Sequence, residues 1–368
     1  MEKIKNMFRN LHSNEKLLSI MPSIFAIITG LLFGFIIMLI TNPSGAGSGL
    51  ARILFGAFDE GPKSLGQVLY FATPIILTGL SVGFAFKTGL FNIGATGQFT
   101  VGAIAAIYVG VNWGFLPGKF HWLIAILVAT IIGGIWGIIP GLLKAYRNVH
   151  EVVATIMMNY IAVYLVKWFI LSNQSIYNQE KNETASVLST AKNPSLFMKE
   201  IFKGSQVDGG FIVAVVVAII IYIVLNKTTF GFELKAVGHN RHSAKYAGIN
   251  EKRSIILSMA IAGATAGLAG AVTFLSVSLK HMEPLAVLLP QGFDGITVAL
   301  IALSNPIGVI FAGIFIGYIK QGGFTMQLSG FVPEIIGIIT SAIIYFSALS
   351  LIFQSFIKKI LGKNGGNK

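Results

Sequence analysis

The chain is 368 residues long, 54% hydrophobic and 11% charged; it has too few charged side chains to coat a soluble surface and ample apolar ones for many membrane spans. Its net charge of +13 comes from Lys and Arg grouped in short segments between apolar runs, and no basic stripe interleaved with base-stacking aromatics points to nucleic acid. Cysteine is absent, which removes disulfides, thiolate metal sites and cysteine nucleophiles.

With about 20 apolar residues per crossing, the sequence predicts an all-α polytopic membrane protein in contact with lipid, one transmembrane domain over 1–368 with about ten helices. The spans fall near 20–41, 65–86, 95–112, 121–142, 151–171, 210–226, 254–276, 285–304, 306–320 and 334–357. The first follows Lys3, Lys5, Arg9 and Lys16 and, at about 22 residues, is longer than a signal-peptide core, so it reads as a retained span. Basic residues set the orientation, with both termini cytoplasmic. Segment 1–19 is then inside, as are Lys144 and Arg147, a loop over 227–253 with Lys227, Lys235, Arg241, Lys245, Lys252 and Arg253, and a tail over 358–368. Loop 172–209 falls outside, its Lys181, Lys192, Lys199 and Lys203 offset by Glu180, Glu183, Glu200 and Asp208. Spans two to five and seven to ten each begin with a Gly/Ala-rich helix and lead past a basic residue, Lys87 or Lys280, to a polar break. That order predicts two inverted-repeat halves with broken helices.

The first break is Gly89-Leu90-Phe91-Asn92-Ile93-Gly94-Ala95-Thr96-Gly97-Gln98 and the second Gln291-Gly292-Phe293-Asp294-Gly295. Hydrocarbon cannot hydrogen-bond a loosened backbone, so such breaks persist at membrane depth only inside protein or beside a wet cavity. Asn92 and Gln98 suit a neutral polar solute, and equally suit the satisfaction of carbonyls freed by the break. Asp294 is a lone acid in an apolar stretch, the kind of residue that faces a cavity or a partner; it can also cap the N–H groups of a helix ahead of Ile296. Thr155 and Asn159 stand one helical turn apart after Glu151, where Asn159 can face solute or a neighbouring helix.

Gly263, Gly267 and Gly270, and Gly133, Gly134 and Gly137, flatten one face each of two spans for close helix packing. In the 227–253 loop, Asn240 can cap a short helix ended by Gly248, with Ser243, Ala244 and Ala247 giving a smooth face. His239 and His242 lack a third ligand, so no metal site is expected. No Gly-rich loop ending in Gly-Lys-Ser/Thr occurs, and no Ser/His/Asp nucleophile order is plausible. The chain reads as a transport protein rather than an enzyme, and no cofactor is implied.

Four ordered segments resemble one family: Gly-Leu-Phe-Asn-Ile-Gly-x-x-Gly-Gln at 89–98, His-Glu-Val-Val-Ala-Thr-Ile-Met-Met-Asn-Tyr-Ile at 150–161, Ala-Val-Gly-His-Asn-x-x-Ser-Ala-x-Tyr-Ala-Gly-Ile at 236–249, and Gly-Phe-Asp-Gly-Ile-Thr-Val-Ala-Leu-Ile-Ala at 292–302. Together they are similar to the permease subunits of bacterial nucleoside-type ABC importers, relatives of the ribose and branched-chain amino-acid permeases. The resemblance implies residence in the bacterial cell membrane. It also implies a second permease subunit in a heterodimer, a cytoplasmic ATPase and an extracellular solute-binding lipoprotein. It implies that 89–98 and 292–295 flank the solute path, which puts Phe91, Asn92, Gln98, Phe293 and Asp294 beside it; Gln291 of the second break and Asn159 join them as path candidates on the reading of the residues above. ATPase coupling would run through Gly238, Asn240, Ala244, Tyr246, Ala247 and Gly248. The family commonly has Glu where Thr96 stands, so selectivity or mechanism can differ here. Two alternatives remain: an ABC permease for ribose-like sugars or branched-chain amino acids, and a proton- or sodium-driven carrier with Asp294 as the ion-linked acid.

Overall fold

A computed structural model of the chain describes residues 15–278 and 280–349. Most of the expected N-terminal segment 1–19, the end of the tenth span and the tail 358–368 lie outside the described residues.

The described residues are predominantly helical and divide into two compact units: Met1–Gly56 with Gly322–Lys368, and Ala57–Gln321. In the first unit are α1 (Glu15–Thr41), α2 (Ala46–Phe55), a single 3-10 turn (Met326–Ser329) and α14 (Pro333–Ala348). Here α1 meets α14 through glycine: a side chain at Gly30 would run into the Ile343 backbone. Asn42 Nδ2 donates to the Ser329 carbonyl at 3.4 Å, and Arg52 Nε to Ser329 Oγ at 2.9 Å.

The larger unit begins with α3 (Pro62–Lys87), α4 (Ala95–Asn112), α5 (Gly118–Arg147) and α6 (Glu151–Ser172). A loop follows with a two-strand hairpin (β1, Tyr177–Asn178; β2, Glu183–Thr184), a 3-10 turn (Ser189–Ala191) and the single-turn α7 (Met198–Ile201). Then come α8 (Gly210–Lys227), α9 (Thr229–His239), α10 (Arg241–Tyr246), α11 (Glu251–Phe274), α12 (Gln291–Ile301) and α13 (Pro306–Thr325), the last crossing the division between the units. Loops 173–209 and 228–250 therefore lie at opposite ends of α8.

Six helices among the described residues are long and apolar enough to cross a membrane: α3, α5, α6, α8, α11 and α13. Shorter apolar helices occur within α1, α2 and α14. This is a multi-pass architecture, with most expected spans found as helices. The eighth is the exception. Only Gln291–Ile301 is helical, 11 residues or about 16 Å of rise, against a hydrocarbon core of about 30 Å. Pro284 and Pro290 explain the difference. Each removes an N–H and disfavours helix in the residue before it, and the apolar run Leu285–Leu289 is not helical.

At the centre of the larger unit, α11 is packed against α3, α4 and α5. A Cβ at Gly263 would strike the Gly133 carbonyl, one at Gly137 the Met259 carbonyl and one at Gly270 the Phe99 carbonyl. Lipid offers no hydrophobic force to bring helices together, so the dispersion gained by backbones in direct contact takes over that role.

Candidate functional site

The first break is a tight turn with Gly89 exposed and Leu90, Asn92 and Gly94 buried. Gly89 takes φ +71°, a conformation open to glycine at little cost, and the turn is closed by Leu90 N donating to the Ala85 carbonyl at 3.0 Å. Asn92 and Gln98 are fully buried and face each other. Asn92 Nδ2 donates to Gln98 Oε1 at 2.9 Å, and Gln98 Nε2 returns a bond to Asn92 Oδ1 at 3.3 Å. Asn92 Nδ2 also lies 3.5 Å from Ser81 Oγ, which donates to the Ala262 carbonyl at 2.6 Å, midway along α11. Asn159 reaches across from α6: its Oδ1 accepts from Gly97 N at 2.7 Å and its Nδ2 donates to the Ile93 carbonyl at 3.0 Å. It thus satisfies one of the free N–H groups of the first turn of α4. Phe91 stacks on Phe86 with ring centroids 5.0 Å apart.

The second break meets the first. A side chain at Gly292 would collide with the hydroxyl and backbone of Thr96, and Thr78 Oγ1 lies 2.8 Å from the Gln291 carbonyl. The first turns of α4 and α12 therefore abut. Two buried polar atoms at this junction, Thr96 Oγ1 and Gln291 Oε1, have no hydrogen-bond partner among the described residues. Phe293 is 40% exposed. Asp294 accepts from Lys320 Nζ of α13 at 2.6 Å, the two side chains 13% and 27% exposed. Sequence reasoning missed Lys320. The available signal was a lone cation late in a long apolar run, matched in sign to the lone acid.

A cavity of about 290 Å³ opens beside this junction, between α4, α6, the end of α11 and the non-helical 280–290 segment. Thr100, Lys167, Phe274, His281, Glu283 and Val287 are among its walls. The hairpin holds the 280–290 segment in place. Thr184 N donates to the Met282 carbonyl at 2.9 Å, Met282 N donates to Thr184 Oγ1 at 2.9 Å, and His281 Nδ1 lies 2.8 Å from the Thr184 carbonyl. Asp208 braces the same region: it accepts from Gly210 N at 2.8 Å, Asn193 Nδ2 at 3.2 Å and Val277 N at 3.4 Å. Burial pushes the Asp208 carboxyl above the usual carboxylate range, against the opposing pull of these donors and of Ser276.

At the opposite end, the 227–253 loop is folded onto the first break. Thr228, Asn240 and Asn250 cap α9, α10 and α11 by accepting from Gly231 N, Ser243 N and Arg253 N, each at 3.1 Å. Gly248 (φ +81°) turns the chain after α10. Gly238 lies so close to the 87–89 turn that any side chain there would strike the Lys87 carbonyl. Val237 and Ala244 are buried in one cluster with Ala85, Leu90, Ile255, Met259 and Ala262. Ala244, expected on the outward smooth face, thus points inward. Tyr246 is 95% exposed, and Ser243, Ala247 and Gly248 are exposed beside it.

Residues 64–348, which contain both breaks and the folded loop, match the family described as the permease component of the branched-chain amino acid transport system. The chain belongs to that permease family. It is 40% identical over 354 residues to the guanosine ABC transporter permease protein NupP of Bacillus subtilis, covering 96% of this chain and 99% of that one. To the nucleoside ABC transporter permease protein NupB of Lactococcus lactis it is 34% identical, over 94% and 95% of the two chains. A second Bacillus guanosine permease, NupQ, is 24% identical over 69% of this chain and 79% of its own. These relatives are transport components, and this permease is a membrane-spanning transport subunit of the same kind.

Proposed function

We propose that this permease passes nucleosides inward as one half of a heterodimeric ABC importer in a bacterial cell membrane, with both termini cytoplasmic. A separate cytoplasmic ATPase would dock on the 227–253 loop, and an extracellular solute-binding lipoprotein would deliver solute at the end bearing loop 172–209. The relatives' names support the solute class, and the presence of both NupP and NupQ in one organism supports two unlike permease halves.

The observation that carries this reading is the seat of Gly238 on the 87–89 turn. It gives the loop a direct mechanical route to the first break: a push on α10 bears on Leu90 through the Val237–Ala244 cluster. Phe91, Asn92, Gln98 and Asn159 would form the closed floor of the path, with Gln291, Phe293 and Asp294 as its facing wall. Opening would exchange amide–amide bonds for amide–solute bonds, an exchange of near-equal partners in which little net free energy is at stake.

Uptake by the assembled transporter, with unlabelled nucleosides, ribose and leucine as competitors, tests the solute class. Nucleosides should compete and the others should not. A hydrolysis-dead ATPase partner should abolish uptake; uptake that persists would favour an ion-driven carrier. Ala244→Arg would disturb the chain's own packing, so docking is tested at exposed Tyr246. Tyr246→Ala should leave expression and melting unchanged while cutting uptake at least fivefold at undiminished ATP hydrolysis.

A further inference from the structure

We propose that the cavity of about 290 Å³ beside the second break is a binding chamber for a neutral ring solute rich in hydroxyls, a nucleoside on the reading above, on which this inference rests. Its volume is at the lower edge of the range of about 300–1,000 Å³ typical of small-molecule pockets. Its walls are mainly apolar, with Phe274 able to face a planar ring. Three groups that can bind hydroxyls interrupt them: Lys167 as a donor, and Glu283 and the Nε2 of His281, whose Nδ1 is held by the Thr184 carbonyl, as acceptors.

The state of these groups supports a ligand more than the volume does. Lys167 sits late in α6, an apolar helix of 22 residues, where a charge needs a cavity or a partner. Among the described residues, neither Lys167 nor Glu283 has a hydrogen-bond or ionic partner. The opposing signs leave the chamber near neutrality, which disfavours a charged solute. A hydroxyl, donor and acceptor at once, can satisfy both groups.

The chamber is also held open by construction. Its 280–290 segment is pinned by the three bonds to Thr184 and braced by Asp208, so His281 and the backbone carrying Glu283 are fixed before solute arrives and less ordering is needed on binding. None of Thr100, Lys167, His281 and Glu283 belongs to the floor and wall assigned to the path above. They form a separate station at the end of the bundle that bears loop 173–209, before the amide seal.

The test uses the chain's lack of cysteine. Val287→Cys places a single thiol on the chamber wall at a side chain 62% exposed, and Phe115→Cys, at one 79% exposed and not lining the chamber, serves as control. Both are labelled with a water-soluble methanethiosulfonate in the assembled transporter, its partner subunits cysteine-free. Saturating nucleoside should slow labelling at Val287→Cys at least fivefold and leave Phe115→Cys unchanged. In a Lys167→Met background the half-protecting concentration should rise at least tenfold, and in Lys167→Arg by less than threefold. Equal labelling rates with and without nucleoside, in a transporter that takes nucleosides up normally, would overturn the chamber and leave the proposed function standing. Protection by leucine or ribose alone would overturn the assigned solute class. A wild-type transporter that takes up no nucleoside would remove the proposed function, and the chamber with it.

Discussion

At the first break, between α3 and α4, the side-chain amides are matched to one another and to freed backbone: Asn92 to Gln98, and Asn159 to Gly97 and Ile93. At the second, between α11 and α12, the chain is non-helical through 280–290, the buried Gln291 Oε1 lacks a hydrogen-bond partner among the described residues, as does the abutting Thr96 hydroxyl, and the strongest contact is an ion pair. Both regions face the same physical problem, since backbone released from a helix inside an apolar bundle must find hydrogen bonds. Neutral reciprocal amides solve it by closing the gap, and while closed they leave no group free for a solute. Charges, a non-helical segment and a cavity leave partners open for exchange. The tight region suits a seal and the loose one suits a receptacle.

Four measurements would break or sharpen this contrast. The largest effect is expected for Asn159→Leu, which orphans the Gly97 N–H and the Ile93 carbonyl. At about 1–3 kcal/mol per buried unpaired group, the subunit should lose most of its folded yield in detergent chromatography, and a normal yield would mean the seal is dispensable. Next comes Asp294→Ala, which strands the Lys320 cation. Because both side chains keep some exposure, the loss should fall below the about 3–5 kcal/mol of a fully buried pair. The double variant with Lys320→Ala should melt closer to wild type than Asp294→Ala alone; purely additive losses would show the pair uncoupled. Replacing both Asn92 and Gln98 by Leu should cost little stability, whereas either alone should cost about 1–3 kcal/mol. If the double variant then melts normally but fails in uptake, the amides touch solute as well as each other.

The smallest effect concerns Asp208, whose carboxyl is pushed up by burial. A raised pKa in the folded state means that the carboxyl's stabilising contribution is complete below the ordinary Asp range of about 4 and fades as pH climbs through the raised value. Protection of loop 173–209 from proteolysis should therefore weaken as pH rises across that window. Asp208→Asn should flatten the dependence, and an unchanged slope would place its origin elsewhere.

Much of this was legible in the chain. Apolar length gave the helices α3 to α6, α8 and α11 nearly to their ends, and Asn240 and Gly248 announced the limits of α10. The small-residue stripes of α5 and α11 do meet. Apolar composition misled at 285–289, where hydropathy continues but two prolines remove the helix. The partners of polar groups were not legible. Asn159 offered solute or neighbour with equal plausibility, and only the packing of α6 on α4 assigns its amide to Gly97 and Ile93. Lys320 is 26 residues from Asp294, and nothing local couples them. The inward turn of Ala244 was also hidden, because a small residue fits an exposed face and a crowded one equally well.

The glycine seam between α5 and α11 has a mechanical consequence. Where carbonyls press directly against facing α-carbons, as at Gly133 against Gly263 and Gly137 against Met259, no side chain stands between the two rods to flex or change rotamer. Tilting one against the other would drive main-chain atoms together, so the two travel as a single beam. A displacement at the foot of α11 would then carry with it the outer flank of α5, where Leu127, Ile131 and Ile135 lie bare.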